Sequence, residues 1–355
     1  MTNFYQKLIP YGLIVVGIFT AAPFVWADSF TINSGDTVTT TQTLDVDGET
    51  GLIESGGFLD LTAGTSKAII IDSDLTTSVS ITNNGTITAQ RDAIDDGGTN
   101  TGVIVTIINN GTISTTADSA DSDAINFTGT TASTLILTNN GTIETFATSI
   151  GAEAIVMGGD NNIVINNGTI VTQGTTADAI TTSCQNCTIT NNGTIITKGT
   201  NAHGIFYLNP AGAQESLTIT NTGSIITKGT TSNGILLNNE ADVIVNNSGL
   251  IHAFDSTEEA IRGGSGADTL NLLSGSQIIG IIDLNGDTDI VNISGANNSS
   301  TLTLTDTEVI RLVNDNGLIV GTVATVVDPT GQSISSAVLS NTTLAIHNNV
   351  NQRLA

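Results

Sequence analysis

The sequence predicts an all-β protein, a right-handed parallel β-helix wound as a solenoid of about 25–30-residue coils, and three observations lead there. The first is a repeated phrase, Ile81–Ile87 (ITNNGTI), which returns at Ile107–Ile113, Leu137–Ile143, Ile165–Ile170 and Ile189–Ile195, with looser copies at Ile219–Ile225 and Val245–Ile251. The second is a pair ahead of each phrase: Ala68-Ile69, Ala93-Ile94, Ala124-Ile125, Ala154-Ile155, Ala179-Ile180, Gly204-Ile205, Gly234-Ile235 and Ala260-Ile261. The third is that the Asn-Gly punctuation leaves no amphipathic stretch long enough for a helix in each repeat.

Within the phrase, an apolar/Thr alternation, Asn-Asn-Gly and Thr-Ile read as strand, tight turn, strand. Asn and Gly tolerate the positive φ of a tight bend, and Ile, Val and Thr suit a pleated, half-buried surface. One such repeat cannot bury its own apolar face, but stacked coils can. Equal residues then superpose, Ile on Ile inside and Asn on Asn at the corner, where the amides can bond along the stack. The distance from each Ala/Gly-Ile pair to the next phrase varies, which marks that side as loop. About ten coils at ~4.8 Å spacing would make a rod roughly 50 Å long.

Met1–Ala27 reads as a signal peptide. Lys7 is its only charge, Leu8–Phe24 is apolar, and Val25-Trp26-Ala27 sets small residues before a cleavage site between Ala27 and Asp28. Residues 28–325 form the β-helix. Its first part, to about Gly64, is rougher (Phe30-Thr-Ile32, Leu44, Leu52-Ile53, Phe58–Leu61) and is expected to make irregular capping coils. Seven regular coils follow to about Ala260, then a segment of different vocabulary, Arg262–Ser294, and strand-like pieces at Thr301–Leu304 and Glu308–Val313. Residues 326–355 are expected to be a helical tail: Asp328-Pro329 is a helix start, and Ile334, Val338, Ile346, Val350 and Leu354 recur at multiples of four.

Eight Lys and Arg stand against 33 Asp and Glu, a net charge of −25. Such a surface is self-repelling and disfavours nucleic acid and anionic lipid as partners. Aromatic residues are 4% of the chain, so Ile, Val, Leu and Ala must fill the coils. The only cysteines, Cys184 and Cys187, read as a local disulfide in an exported chain. A redox Cys-x-x-Cys would need a helix N-terminus, and structural zinc would need more ligands than two cysteines supply.

The signal peptide, the NNGTI coils, the GGSGADTLNL and IDLNGDTD tracts, and the stretch Val323–Thr330 running into Val350–Ala355 together resemble the passenger of a bacterial type V autotransporter and the linker before its barrel. The resemblance covers nearly the whole chain. It implies export, display at the cell surface or outer membrane or secretion, and an outer-membrane β-barrel translocator as partner. Nothing from Thr330 to Ala355 shows the ten-residue alternating strands of a membrane barrel, so a truncated reading frame, a fragment or a separate barrel is expected, and a chain without one would stay periplasmic.

Gly263–Asn271 (GGSGADTLN) matches the calcium-binding nonapeptide, but the next nine residues do not repeat it, and a turn before a strand is the expected role. No metal, cofactor or catalytic set is predicted. His203, His252 and His347 are scattered, and no nucleophile elbow occurs. Lys198 and Lys228 hold equal places in two coils, which leaves a polysaccharide-active β-helix enzyme as the alternative; a passenger remnant without function is a third reading. Thr ladders would suit an ice-binding face only if flat and regular, and uneven coil lengths argue against that. The reading favoured is a non-catalytic adhesin or self-association rod. Its variable loops, such as Thr115–Asp123 and Asn209–Gln214, would meet host-cell or sister-cell surface molecules.

Overall fold

The computed structural model describes residues 29–327, except 65, 73, 98–101, 119–121, 129–132, 149–150, 209–215, 239–240, 255–257, 295–299, 308, 314–315 and 321–322. The expected signal peptide with its Ala27–Asp28 junction, the expected helix from Asp328 onward and the loop Asn209–Gln214 lie outside the described residues. No helix occurs among those described.

The chain is a parallel β-solenoid with three sheets of twelve, ten and thirteen strands, and each of ten successive turns gives one strand to each sheet. The repeated phrase bridges two sheets. Ser78–Asn83 lies in the first, Asn84-Gly85 makes the corner, and Thr86–Ala89 lies in the second. Each Ala/Gly-Ile pair opens a strand of the third, as Ile125–Phe127 does.

Strand neighbours pair one turn apart, and this sets the core. In the second sheet Ile87, Ile113, Ile143, Ile170, Ile195, Ile225 and Ile251 stand in one inward column. In the third, Ile69, Ile94, Ile125, Ile155, Ile180, Ile205, Ile235 and Ile261 do the same. All of them are buried. Burying each such side chain stabilises the fold by ~1.5–3 kcal/mol. Register is kept through loops of different length, because the connections into and out of the third sheet absorb the variation. Uneven coil length therefore does not disorder the faces, contrary to expectation.

The corner amides form two ladders. The inner one runs Asn83, Asn109, Asn139, Asn166, Asn191, Asn221, Asn247, each Nδ2 donating to the Oδ1 of the next at 2.7–2.8 Å, and it ends on Ser276 Oγ. The outer one runs the other way: Asn192 donates to Asn167, Asn167 to Asn140, Asn140 to Asn110 and Asn110 to Asn84.

The phrase glycines have a different reason from the expected one. None of the seven, from Gly85 to Gly249, takes positive φ. Close stacking demands them instead: a Cβ on Gly111, Gly141 or Gly168 would overlap the carbonyl oxygen of the glycine one turn before. Positive φ occurs at the next corner, on Thr176, Asn201 and Thr231.

The expected irregular first coils are in-register members of the stack, Phe30–Ile32 on Gly51–Ile53 and Gln42–Leu44 on Ile69–Ile71. The Phe30 ring covers the end of the core, over Gly51, where a Cβ would collide with it. At the other end Ser300–Thr305, Val323–Val327 and Asn316–Val320 pair antiparallel, with Leu302, Leu304 and Ala324 buried. The boundary expected after residue 325 thus falls inside the strand Val323–Val327.

Candidate functional site: a polar ladder and the cleft at its end

The residue ahead of each Ala/Gly-Ile pair forms a third ladder: Lys67, Asp92, Asp123, Glu153, Asp178, His203, Asn233 and Glu259. The third-sheet strands start here, and stacking brings one titratable or amide side chain per turn to the same corner. A backbone N–H needs a partner where the turn tightens, and at four rungs the side chain of the preceding coil supplies it. Asp92 Oδ1 accepts the Asp123 N–H at 3.1 Å, Asp123 Oδ1 the Glu153 N–H at 2.9 Å, and Asp178 Oδ1 the His203 N–H at 2.6 Å. His203 Nδ1 then accepts the Asn233 N–H at 3.0 Å. Asn233 Nδ2 donates to Glu259 Oε2 at 3.0 Å.

Burial governs the charges. It pushes the Asp178 carboxyl up to about 8, against the His203 N–H that favours the anion. Asp123 is pushed up to about 9 by burial first and by Glu153 next. Burial raises Glu153 too. Asp92 is raised by burial and then by the charge of Asp95. Lys67 meets both, at 2.6 Å from Asp95 and 3.4 Å from Asp92. Burial opposes its charge, but the two carboxylates outweigh it and hold the ammonium above its usual range. Burial, then the Arg262 charge, lowers His203 to about 4, so the imidazole is neutral and its proton sits on Nε2.

At the ladder's end His203, Asn233, Leu236, Glu258, Glu259 and Arg262 line a cleft of about 300 Å³ together with Asn201 and Thr231. Both its carboxylates have partners: Glu259 accepts from Asn233 and lies 3.7 Å from Arg262 Nε, and Glu258 accepts the Thr231 N–H. Along the ladder the side chains of Asp92, Asp123, Asp178 and His203 cap backbone N–H groups, and burial favours the protonated form of the carboxyls.

The residues expected from sequence fall elsewhere. Cys184 and Cys187 form a buried disulfide, with Cα atoms 6.1 Å apart. Lys198 and Lys228 follow the paired Thr197 and Thr227 and are exposed one turn apart. His252 lies on the second sheet, away from His203 on the ladder, and His347 is outside the described residues. Thr115–Asp123 runs from a buried Thr115, whose Oγ1 donates to the Ser122 carbonyl, into the ladder itself at Asp123. In the nonapeptide, Asp268 is buried, accepts from the N–H groups of Val243 and Gly264, and is pushed up to about 7 by that burial. Among the described residues no cluster of three or more His, Cys, Asp or Glu is placed to hold a metal.

Sequence reasoning saw the Ala/Gly-Ile pairs and passed over the position before them. The signal was there: Lys, Asp, Asp, Glu, Asp, His, Asn, Glu is a column of polar groups beside a recurring Ala-Ile or Gly-Ile pair. Comparison with known proteins finds no matching family model, curated protein or solved structure.

Proposed function

We propose that this chain is an exported, autotransporter-type passenger, a right-handed β-helical rod that works as a non-catalytic surface adhesin. In this reading residues 1–27 are removed on export, residues 326–355 lead toward a helical linker, and an outer-membrane β-barrel passes the rod to the cell surface. The observation that carries it is the unbroken parallel stack, in which insertions are confined to the connections around the third sheet. A rigid rod with a fixed corner and variable loops is suited to holding those loops away from a surface. The partners are host-cell or sister-cell surface molecules.

The test is protease shaving of intact source cells, followed with antibody to the rod. Digestion from outside, with a product larger than 36.3 kDa, is the expected result. A product protected until the outer membrane is broken would overturn the reading.

A further inference from the structure

We infer that the outer face of the first sheet is a docking surface for a second copy of this chain. Two outward columns cross that sheet in register. One runs from Ser80 through Thr106, Ile136, Ile163, Thr188, Thr218, Ile244 and Thr269 to Ile290. The other, two residues on, runs from Thr82 to Asn292. Neither column contains an Asp, Glu, Lys, Arg or His in a chain of net charge −25. Charge on the first sheet stands at its edges, with Asp242 in the marginal column of Ile104 and Arg311 on the strand after Asn292, whereas Asp60, Glu144 and His252 stand outward along the second sheet and Arg262 and Asp283 along the third.

Charge selects the partner. Two copies meeting through the second sheet would bring Asp60 and Glu144 into the contact, and like charges across an interface cost several kcal/mol. On the first sheet the two columns can meet with the Asp242 carboxylate left at the margin. That sheet also leaves apolar surface in water, with Ile108 37%, Ile163 38% and Ile244 43% exposed, and Ile104 45% at its margin. Nine strands at ~4.8 Å and two columns with their margins give a face of roughly 40 by 15 Å, on the order of 600 Å². Two such faces bury about 1,200 Å² in total, at the lower end of specific interfaces, and a dimer with Kd in the micromolar range is expected. A two-fold axis on this face is self-complementary, because the same columns meet on both sides.

The inference takes its biological setting from the adhesin reading, but the association itself is a property of the purified chain and is tested apart from cells. Sedimentation equilibrium of the purified chain is expected to show a dimer that tightens with added salt, since screening weakens the repulsion of the acidic flanks. Ile163→Asp with Ile244→Asp should raise Kd at least tenfold, and Ile196→Asp, outward on the second sheet, should leave it unchanged. Should the paired variant fail to fold, Thr188→Cys carrying a bulky maleimide tests the same face, because Cys184 and Cys187 are already bonded to each other. A chain that remains monomeric at about 100 µM in high salt overturns the inference. So does a dimer that survives both the aspartates and the label. Failure of the shaving experiment alone leaves the dimer standing and removes only its setting.

Discussion

Raising the pH from 5 to 7 should destabilise the solenoid, the reverse of ordinary acid unfolding. Asp123, Asp178 and Asp268 each carry a folded-state pKa above the usual 3.8, at about 9, about 8 and about 7. A carboxyl raised on folding contributes stability that is fully present below its unfolded pKa and is lost as pH rises toward the folded value. His203 acts in the opposite sense. Lowered from 6.5 to about 4, it contributes stability above pH 6.5 that is lost as pH falls. Three protons retained by the folded chain against one retained by the unfolded chain leave about two, or ~3 kcal/mol per pH unit between pH 5 and 7. Thermal melts followed by circular dichroism at pH 5, 6 and 7 would read this as a fall of several degrees per unit. Asp178→Asn keeps an acceptor for the His203 N–H and removes one titration, so its slope should be shallower by ~1.4 kcal/mol per unit. A melting temperature that climbs from pH 5 to 7, or an unchanged slope in Asp178→Asn, would refute the reasoning.

Other perturbations test the stack itself. Asn139→Ala removes a buried amide that accepts from Asn109 and donates to Asn166, and leaving those groups unpaired should cost about 2–4 kcal/mol in a denaturant titration. Gly141→Ala sets a Cβ against the backbone of Asn110 and Gly111, which cannot swing aside. It should lower stability by more than the ~1 kcal/mol that a Gly-to-Ala change usually gains or loses, read by the same titration. Calcium or a chelator should leave the melting temperature unchanged, because the Asp268 carboxylate is committed to backbone N–H groups. A calcium-dependent rise that Asp268→Asn abolishes would return the nonapeptide to metal binding.

The frame of the molecule was legible because its determinants are identities repeated at equal positions. Ile143, Ile170 and Ile195 superpose, and so do Asn139, Asn166 and Asn191. The role of Gly141 was misread. A glycine in a turn suggests positive φ, but the contact that demands it comes from Gly111, a full turn away, which local sequence does not show. The polar ladder was missed for a related reason. Asp92, Asp123, Asp178 and His203 share a place but not one identity, and a pattern of repeated letters passes over a column united by accepting a backbone N–H from the next turn. The first coils were also under-read, since Phe30 over Gly51 is a volume exchange between neighbouring turns rather than a pattern along the chain.

The opposed directions of the two corner ladders bear on how long such a rod can grow. Hydrogen-bonded amides in a row polarise one another, so a single file of them would build an electric moment along the axis with every turn added. Here the inner file points its N–H groups toward the C-terminal end and the outer file toward the N-terminal end, a few ångströms apart at the same corner. Each added turn brings both, and their fields offset. Reach can therefore change by whole coils, through duplication or loss of a repeat, without the two ends acquiring opposite polarity.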